Sequence, residues 1–117
     1  MSHNQEIGYW GESIAAEYLQ KKGYLFVDRN VRTPYGEIDL ILRSSGLTVF
    51  VEVKTRTSAR FGYPEEAITP QKADHILNSA GHYAEEHGIE IWRIDAVSVV
   101  GKPKGAVPSV THFEDVL

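Results

Sequence analysis

Gly36-Glu37-Ile38-Asp39-Leu40-Ile41 and, a hairpin's length later, Phe50-Val51-Glu52-Val53-Lys54-Thr55-Arg56 are apolar, strand-like runs of the kind a sheet buries, yet carboxylates and a lysine interrupt both. Ser44-Ser45-Gly46 lies between them and is a turn signal, with glycine supplying positive φ. A turn at Ser45-Gly46 sets Asp39 opposite Glu52, Glu37 opposite Lys54 and Ile41 opposite Phe50. Side chains alternate along a strand, so these six are expected on one face. Ile38, Leu40, Leu42, Val49, Val51 and Val53 then form the other, an uninterrupted apolar face that reads as core. The register is conditional: a three-residue loop would put Asp39 and Glu52 on opposite faces.

Opposed in this way, Asp39 and Glu52 lie roughly 5 Å apart at Cβ. At an effective dielectric near 20 their repulsion is about 3 kcal/mol. Sheet packing does not offset that cost, whereas a divalent cation does. Two hard oxygen ligands with room for waters suit Mg²⁺ or Mn²⁺. Lys54 follows about 7 Å along the strand on the same face, placed to orient a water or to stabilise a negatively charged phosphoryl transition state. Carboxylate, carboxylate and lysine around a metal form a constellation for phosphodiester hydrolysis. The competing explanation is an Asp39–Lys54–Glu52–Glu37 salt-bridge network on a solvated sheet face, which the apolar flanks disfavour.

The rest of the chain supplies an α/β frame. Residues 4–22 predict a helix, with Ile7, Trp10, Ile14, Ala15, Tyr18 and Leu19 at helical spacing and Gly23 closing it. Residues 24–30 predict a first strand, and the charged hairpin supplies two more. Thr69-Pro70 opens a second helix as N-cap and first-turn proline, with Ala73, Ile76, Leu77, Ala80, Tyr83 and Ala84 as its apolar stripe. Residues 89–100 predict a fourth, β-branched strand. Helix, three strands, helix, strand is a layered α/β arrangement. After Gly101 the chain loosens, so residues 1–100 are expected to form the domain and 101–117 a C-terminal tail. Val110, Phe113 and Val116 leave that tail two options, docking on the body or meeting a partner subunit.

Composition bounds the setting. The 117 residues are 42% hydrophobic, enough for one core. The absence of cysteine excludes disulfides and thiolate metal sites and suits a reducing cytoplasm. No signal-peptide pattern or membrane-length apolar run is present. Net charge is −4, acidic for a protein that binds nucleic acid. Charge is unevenly spread, however, and residues 28–60 carry six basic against four acidic groups. Arg32, Arg56 and Arg60 fall near strand ends or in loops where they can meet phosphates. Lys72, in the first turn of the second helix, is a further phosphate contact or a solvated lysine. His75, His82 and His87 lack the i, i+4 spacing of a helical zinc pair and read as surface or packing groups. Trp10 and Tyr63 are core aromatics or base-stacking groups.

Ile38-Asp39 followed by Glu52-Val53-Lys54, with Glu12 on the preceding helix, resembles the PD-(D/E)xK nuclease superfamily. Gly11-Glu12 through Tyr24, Gly36 through Ile41, Phe50 through Arg56, Phe61-Gly62-Tyr63-Pro64-Glu65-Glu66-Ala67 and Arg93-Ile94-Asp95 more closely resemble the small bacterial YraN-like family, itself similar to archaeal Holliday-junction resolvases. The likeness runs from about Ile7 to Val100. It implies a restriction-endonuclease-like three-layer core around a central mixed sheet. It also implies a catalytic set of Glu12, Asp39, Glu52 and Lys54, with Asp39 and Glu52 holding the metal. Ile38 stands where the superfamily's name has proline, a position that supplies no ligand. Two functions from different classes follow: a metal-dependent nuclease acting on DNA, branched or flapped forms included, and a non-catalytic binding module that keeps the nuclease fold. Resolvase-like symmetry implies a homodimer, and the acidic balance suggests that a partner protein delivers the substrate.

Overall fold

The computed structural model describes residues 1–58 and 68–117. Arg60 and the 61–67 stretch that contributes to the family resemblance lie outside the described residues. The elements run α1 His3–Lys21, β1 Leu25–Thr33, β2 Gly36–Ser44, β3 Leu47–Arg56, α2 Pro70–Glu86, β4 Trp92–Val100 and β5 Ser109–Phe113. The five strands form one mixed sheet in the order β1-β2-β3-β4-β5, with β3 and β4 parallel and every other pair antiparallel. This is the α/β architecture expected from the sequence, a mixed sheet flanked by helices.

Each helix covers one face. Ala15, Ala16 and Leu19 of α1 pack on Leu40, Leu42, Val49, Val51, Val97 and Val99. Ala80, Tyr83 and Ala84 of α2 pack on Ile38, Ile41, Phe50 and Ile94. The second helix starts as the sequence suggests: Thr69 Oγ1 accepts the Lys72 amide at 3.2 Å, and Pro70 fills a position that needs no donor. Its buried stripe differs in one residue. Leu77 is exposed and Ser79 is buried instead, in contact with Thr33 Oγ1 at 3.1 Å. The three histidines of this region hold no common centre. His82 Nε2 lies 2.9 Å from Glu86 Oε1, and His87 stacks on Tyr83 at 3.8 Å between ring centroids.

The β2–β3 hairpin turns at Ser45-Gly46, whose φ values of 50° and 82° both lie in the left-handed region that a two-residue hairpin loop requires. The expected register holds from Ser44↔Leu47 to Leu40↔Val51 and then stops. Asp39 and Glu52 are not a ladder pair, because the Asp39 carboxylate takes over as acceptor: its Oδ2 receives the Val53 amide at 2.8 Å. Face alternation breaks at the same place. Leu40 packs toward α1 as expected, but Ile38 packs toward α2. In β1 the residue between the pairs Arg29↔Leu40 and Val31↔Ile38 is Asn30, with φ of 51°. The sheet thus departs from regular pleating around Asp39, and the expected single charged face divides between its two sides.

The strand β5 is absent from the sequence expectation. It is pinned to β4 by a buried polar clasp around Asp95, which is 0% exposed. Asp95 accepts from Arg93 Nε at 2.8 Å and from the Asp115 amide at 2.9 Å, and its Oδ2 lies 2.7 Å from His112 Nε2. His112 Nδ1 in turn lies 2.9 Å from Lys22 Nζ, which ties the end of α1 into the clasp. These partners hold the Asp95 carboxyl below its usual range against the opposing effect of burial. No helix among the described residues is long and apolar enough to cross a membrane.

Candidate metal centre

Glycine decides how close α1 comes to the charged end of β3. A Cβ built on Gly11 would lie 1.8 Å from Thr55 Oγ1, so only glycine permits this approach. Glu12, the next residue, is thereby brought to a cavity of about 480 Å³ that Asp39, Glu52, Val53 and Arg56 also line. Across the sheet, under α2, a second cavity of about 300 Å³ is lined by Glu37, Glu52, Lys54, Lys72 and His75. Glu52 borders both. Three carboxylates therefore meet on the α1 side and two lysines approach Glu52 from the α2 side.

The electrostatics follow from this placement. The Asp39 carboxyl is pushed up to about 8, first by burial and then by the Glu52 charge, with Glu12 and Glu37 adding to the rise and the Val53 amide opposing it. Glu52 is also raised, mainly by burial, against the opposing charges of Lys54 and Lys72 and a hydrogen bond with Asp39. Near neutral pH and without a cation, the pair is thus stabilised by retaining a proton between them. A doubly charged cation removes the need for that proton, and the donors on offer are hard oxygens. The residues fit Mg²⁺ or Mn²⁺.

This has a sign. Asp39 binds its proton more tightly folded than unfolded, so its contribution to stability is complete below the ordinary carboxylate range and is lost as pH rises toward 8. The chelator-treated protein is expected to melt about 5 °C or more lower at about pH 8.5 than at about pH 5.5, and millimolar Mg²⁺ should narrow the gap. A melting temperature that is flat or rises over that interval would show that the carboxyl pair is not strained.

A different trio, Asp95, His112 and Glu114, is the group of three among the described residues whose ligand atoms all lie within 4.8 Å of one another. Glu12, Asp39 and Glu52 do not close to that spacing, so Glu12 stands as a supporting group beside an Asp39–Glu52 pair. The Asp95 trio is less suited to a cation because the Arg93 guanidinium already lies against Asp95 and Glu114, at 2.8 and 3.2 Å. It reads as a structural clasp.

The remaining expected site residues are dispersed. Arg56 ends β3 at the rim of the carboxylate cavity. Lys72 lines the α2 cavity with Lys54. Arg32 is exposed on β1 in register with Glu37. Glu37 accepts a hydrogen bond from Asn30 Nδ2 at 3.1 Å. Trp10 packs against the α1-side core. Sequence reasoning missed Arg29 and Asn30, both of which donate to Glu12 Oε1, at 3.1 and 3.0 Å. Nothing in their spacing announces it, since the contact joins a strand to a helix 17 and 18 residues earlier.

Fold and site together define a small α/β protein with a half-buried carboxylate pair where its sheet loses regular pairing. The chain belongs to the uncharacterised protein family UPF0102, whose family model matches residues 11–99. It is 39% identical over 119 residues to a UPF0102 protein of Leifsonia xyli, covering all of both chains. It is 47% identical over 97 residues to a UPF0102 protein of Thermus thermophilus, covering 83% of this chain and 86% of the relative. With a UPF0102 protein of Syntrophomonas wolfei the identity is 54% over 77 residues, covering 66% and 67%.

Proposed function

We propose that this protein is a divalent-metal-dependent phosphodiesterase acting on DNA, of the PD-(D/E)xK, YraN-like kind that its motifs resemble. The observation that carries this reading is the strained Asp39–Glu52 pair, both carboxyls raised by burial, Asp39 further by the Glu52 charge, and both lining one cavity. Such perturbed, clustered carboxyls mark functional sites. Asp39 and Glu52 would hold Mg²⁺ or Mn²⁺, which when bound supplies charge stabilisation for the phosphoryl group and a more acidic water. Lys54 favours the ionised form of Glu52 and offers an ammonium from the α2-side cavity that Glu52 also lines. Glu12 presents a further carboxylate for hydrogen bonding to water. Arg56 beside the carboxylates and Lys72 beside Lys54 would neutralise backbone phosphates, with Arg32 on β1 as an outer contact and Arg60 a further candidate from its sequence alone.

Against a net charge of −4, duplex binding by one chain is expected to be weak and salt-sensitive. The reading therefore favours structured DNA such as branches or flaps, two copies acting together or a partner protein delivering the DNA, and a cytoplasmic setting. End-labelled linear, single-stranded, flapped and four-way DNA in Mg²⁺ or Mn²⁺ tests it. The wild type should cut at least one substrate, and Lys54→Ala should cut it about 10²-fold or more slowly. A wild type that binds these DNAs with the same affinity in chelator and in Mg²⁺, and cuts none, would replace the nuclease by a non-catalytic binding module.

A further inference from the structure

We propose that Asn30 is a positioning residue which, with Arg29, fixes the Glu12 carboxylate at the cavity that Asp39 and Glu52 share; the inference rests on the metal-dependent reading above. Arg29 lies 3.8 Å over the Tyr9 ring and spreads its fork along one face of α1, to Ser13 Oγ at 3.0 Å, the Tyr9 carbonyl at 3.0 Å and Glu12 Oε1 at 3.1 Å. Asn30 adds a second donor to that same oxygen at 3.0 Å. Both contacts fall on Oε1, so among the described residues Oε2 receives no donor, and Glu12 lines the cavity with Asp39 and Glu52. A glutamate has three side-chain torsions to lose, and two fixed donors on one oxygen remove that freedom.

The chemistry of position 30 is specific. A carboxamide has two N–H bonds, and here one meets Glu12 Oε1 while the other meets Glu37 Oε1 at 3.1 Å. Reversing the amide would set its oxygen against two carboxylates. The backbone at Asn30 sits at φ 51°, a left-handed conformation that asparagine tolerates better than most residues. That conformation lies across from Asp39, between the pairs Arg29↔Leu40 and Val31↔Ile38. One residue thus joins the left-handed backbone opposite Asp39 to the anchoring of the neighbouring Glu12 carboxylate. The charge of Glu12 also reaches Asp39 and Glu52, contributing to the rise of both.

The φ value selects the variant. Asn30→Gly removes the carboxamide and keeps the left-handed backbone without strain, whereas alanine would disturb both. Mn²⁺ affinity is measured by calorimetry on wild type, Asn30→Gly, Glu12→Gln and the double variant, with thermal melts alongside. Removing an orienting partner is expected to weaken Mn²⁺ binding about 10-fold in each single variant. Because Asn30 acts through Glu12, the double variant should bind no more weakly than Glu12→Gln alone. Asn30→Gly should melt within a few degrees of wild type, which separates positioning from a fold defect. Unchanged Mn²⁺ affinity in Asn30→Gly, or losses that multiply to about 100-fold in the double variant, would overturn the inference. A wild type that binds no Mn²⁺ would overturn the metal-dependent reading itself and the positioning role with it.

Discussion

Asp39→Asn is expected to abolish divalent-cation binding and DNA cleavage while making the metal-free protein more stable at pH 8. Asparagine can still accept the Val53 amide that Asp39 Oδ2 accepts at 2.8 Å, so the local backbone should persist. Its N–H₂ can donate to Glu52, replacing the proton that the two acids otherwise share. The neutral side chain no longer carries the cost of a charge whose carboxyl is pushed up to about 8. Each pKa unit corresponds to about 1.4 kcal/mol, and the coupling between the two acids discounts the total, so a gain of about 2–4 kcal/mol at pH 8 is expected. Near pH 5 that gain should shrink, because native Asp39 is then protonated. Activity should fall at least about 10³-fold, since the substitution removes a metal ligand as well as an electrostatic contact. Chemical denaturation at the two pH values and a cleavage assay measure the two sides. Lower stability than wild type at pH 8 would mean that Asp39 serves the fold.

Gly11→Ala is expected to have the next largest effect, and on both properties. The added methyl would meet Thr55 at 1.8 Å from Oγ1 and 2.8 Å from Cβ and Cγ2, so α1 must move away from β3. Ala15, Ala16 and Leu19 sit on the same helix and are buried against the sheet, so the displacement spreads into the core. Overpacking of this kind costs about 1–3 kcal/mol, with the upper end expected because the obstacle includes atoms close to the strand backbone. Cleavage should fall as well, since Glu12 travels with the helix. Thr55→Ala in the Gly11→Ala background removes Oγ1 and Cγ2 and should restore part of the lost stability. A single variant as stable as wild type would show that α1 can sit further out without cost.

The elements that were legible in the sequence are those set by local rules. Ser45-Gly46 dictated a two-residue turn, and the turn fixed the register as far as Leu40↔Val51. Thr69-Pro70 dictated the start of α2. What was not legible depends on contacts between distant parts of the chain. Strict alternation placed Ile38 with Leu40, but the Asp39 carboxylate captures the Val53 amide and Asn30 turns left-handed beside it, so Ile38 packs toward α2. The strand β5 is only five residues long and follows a glycine- and proline-containing stretch, and its place is secured by Asp95 and His112 rather than by its own pattern. Gly11 carries no signal of its own, since the need for glycine arises from Thr55, forty-four residues later in the sequence. The chemistry-bearing residues Asp39, Glu52 and Lys54 could be read because charges in apolar strands are costly. Their division between two cavities follows from the irregularity in the sheet.

The most direct test of a cation site at Asp39 and Glu52 is thermal melting of wild type and Asp39→Asn at about pH 7.5, in chelator and in millimolar Mg²⁺ or Mn²⁺. A site built by these residues requires the cation to raise the wild-type melting temperature by several degrees and to leave Asp39→Asn unmoved. Equal shifts in the two proteins, or no shift in the wild type, would contradict it.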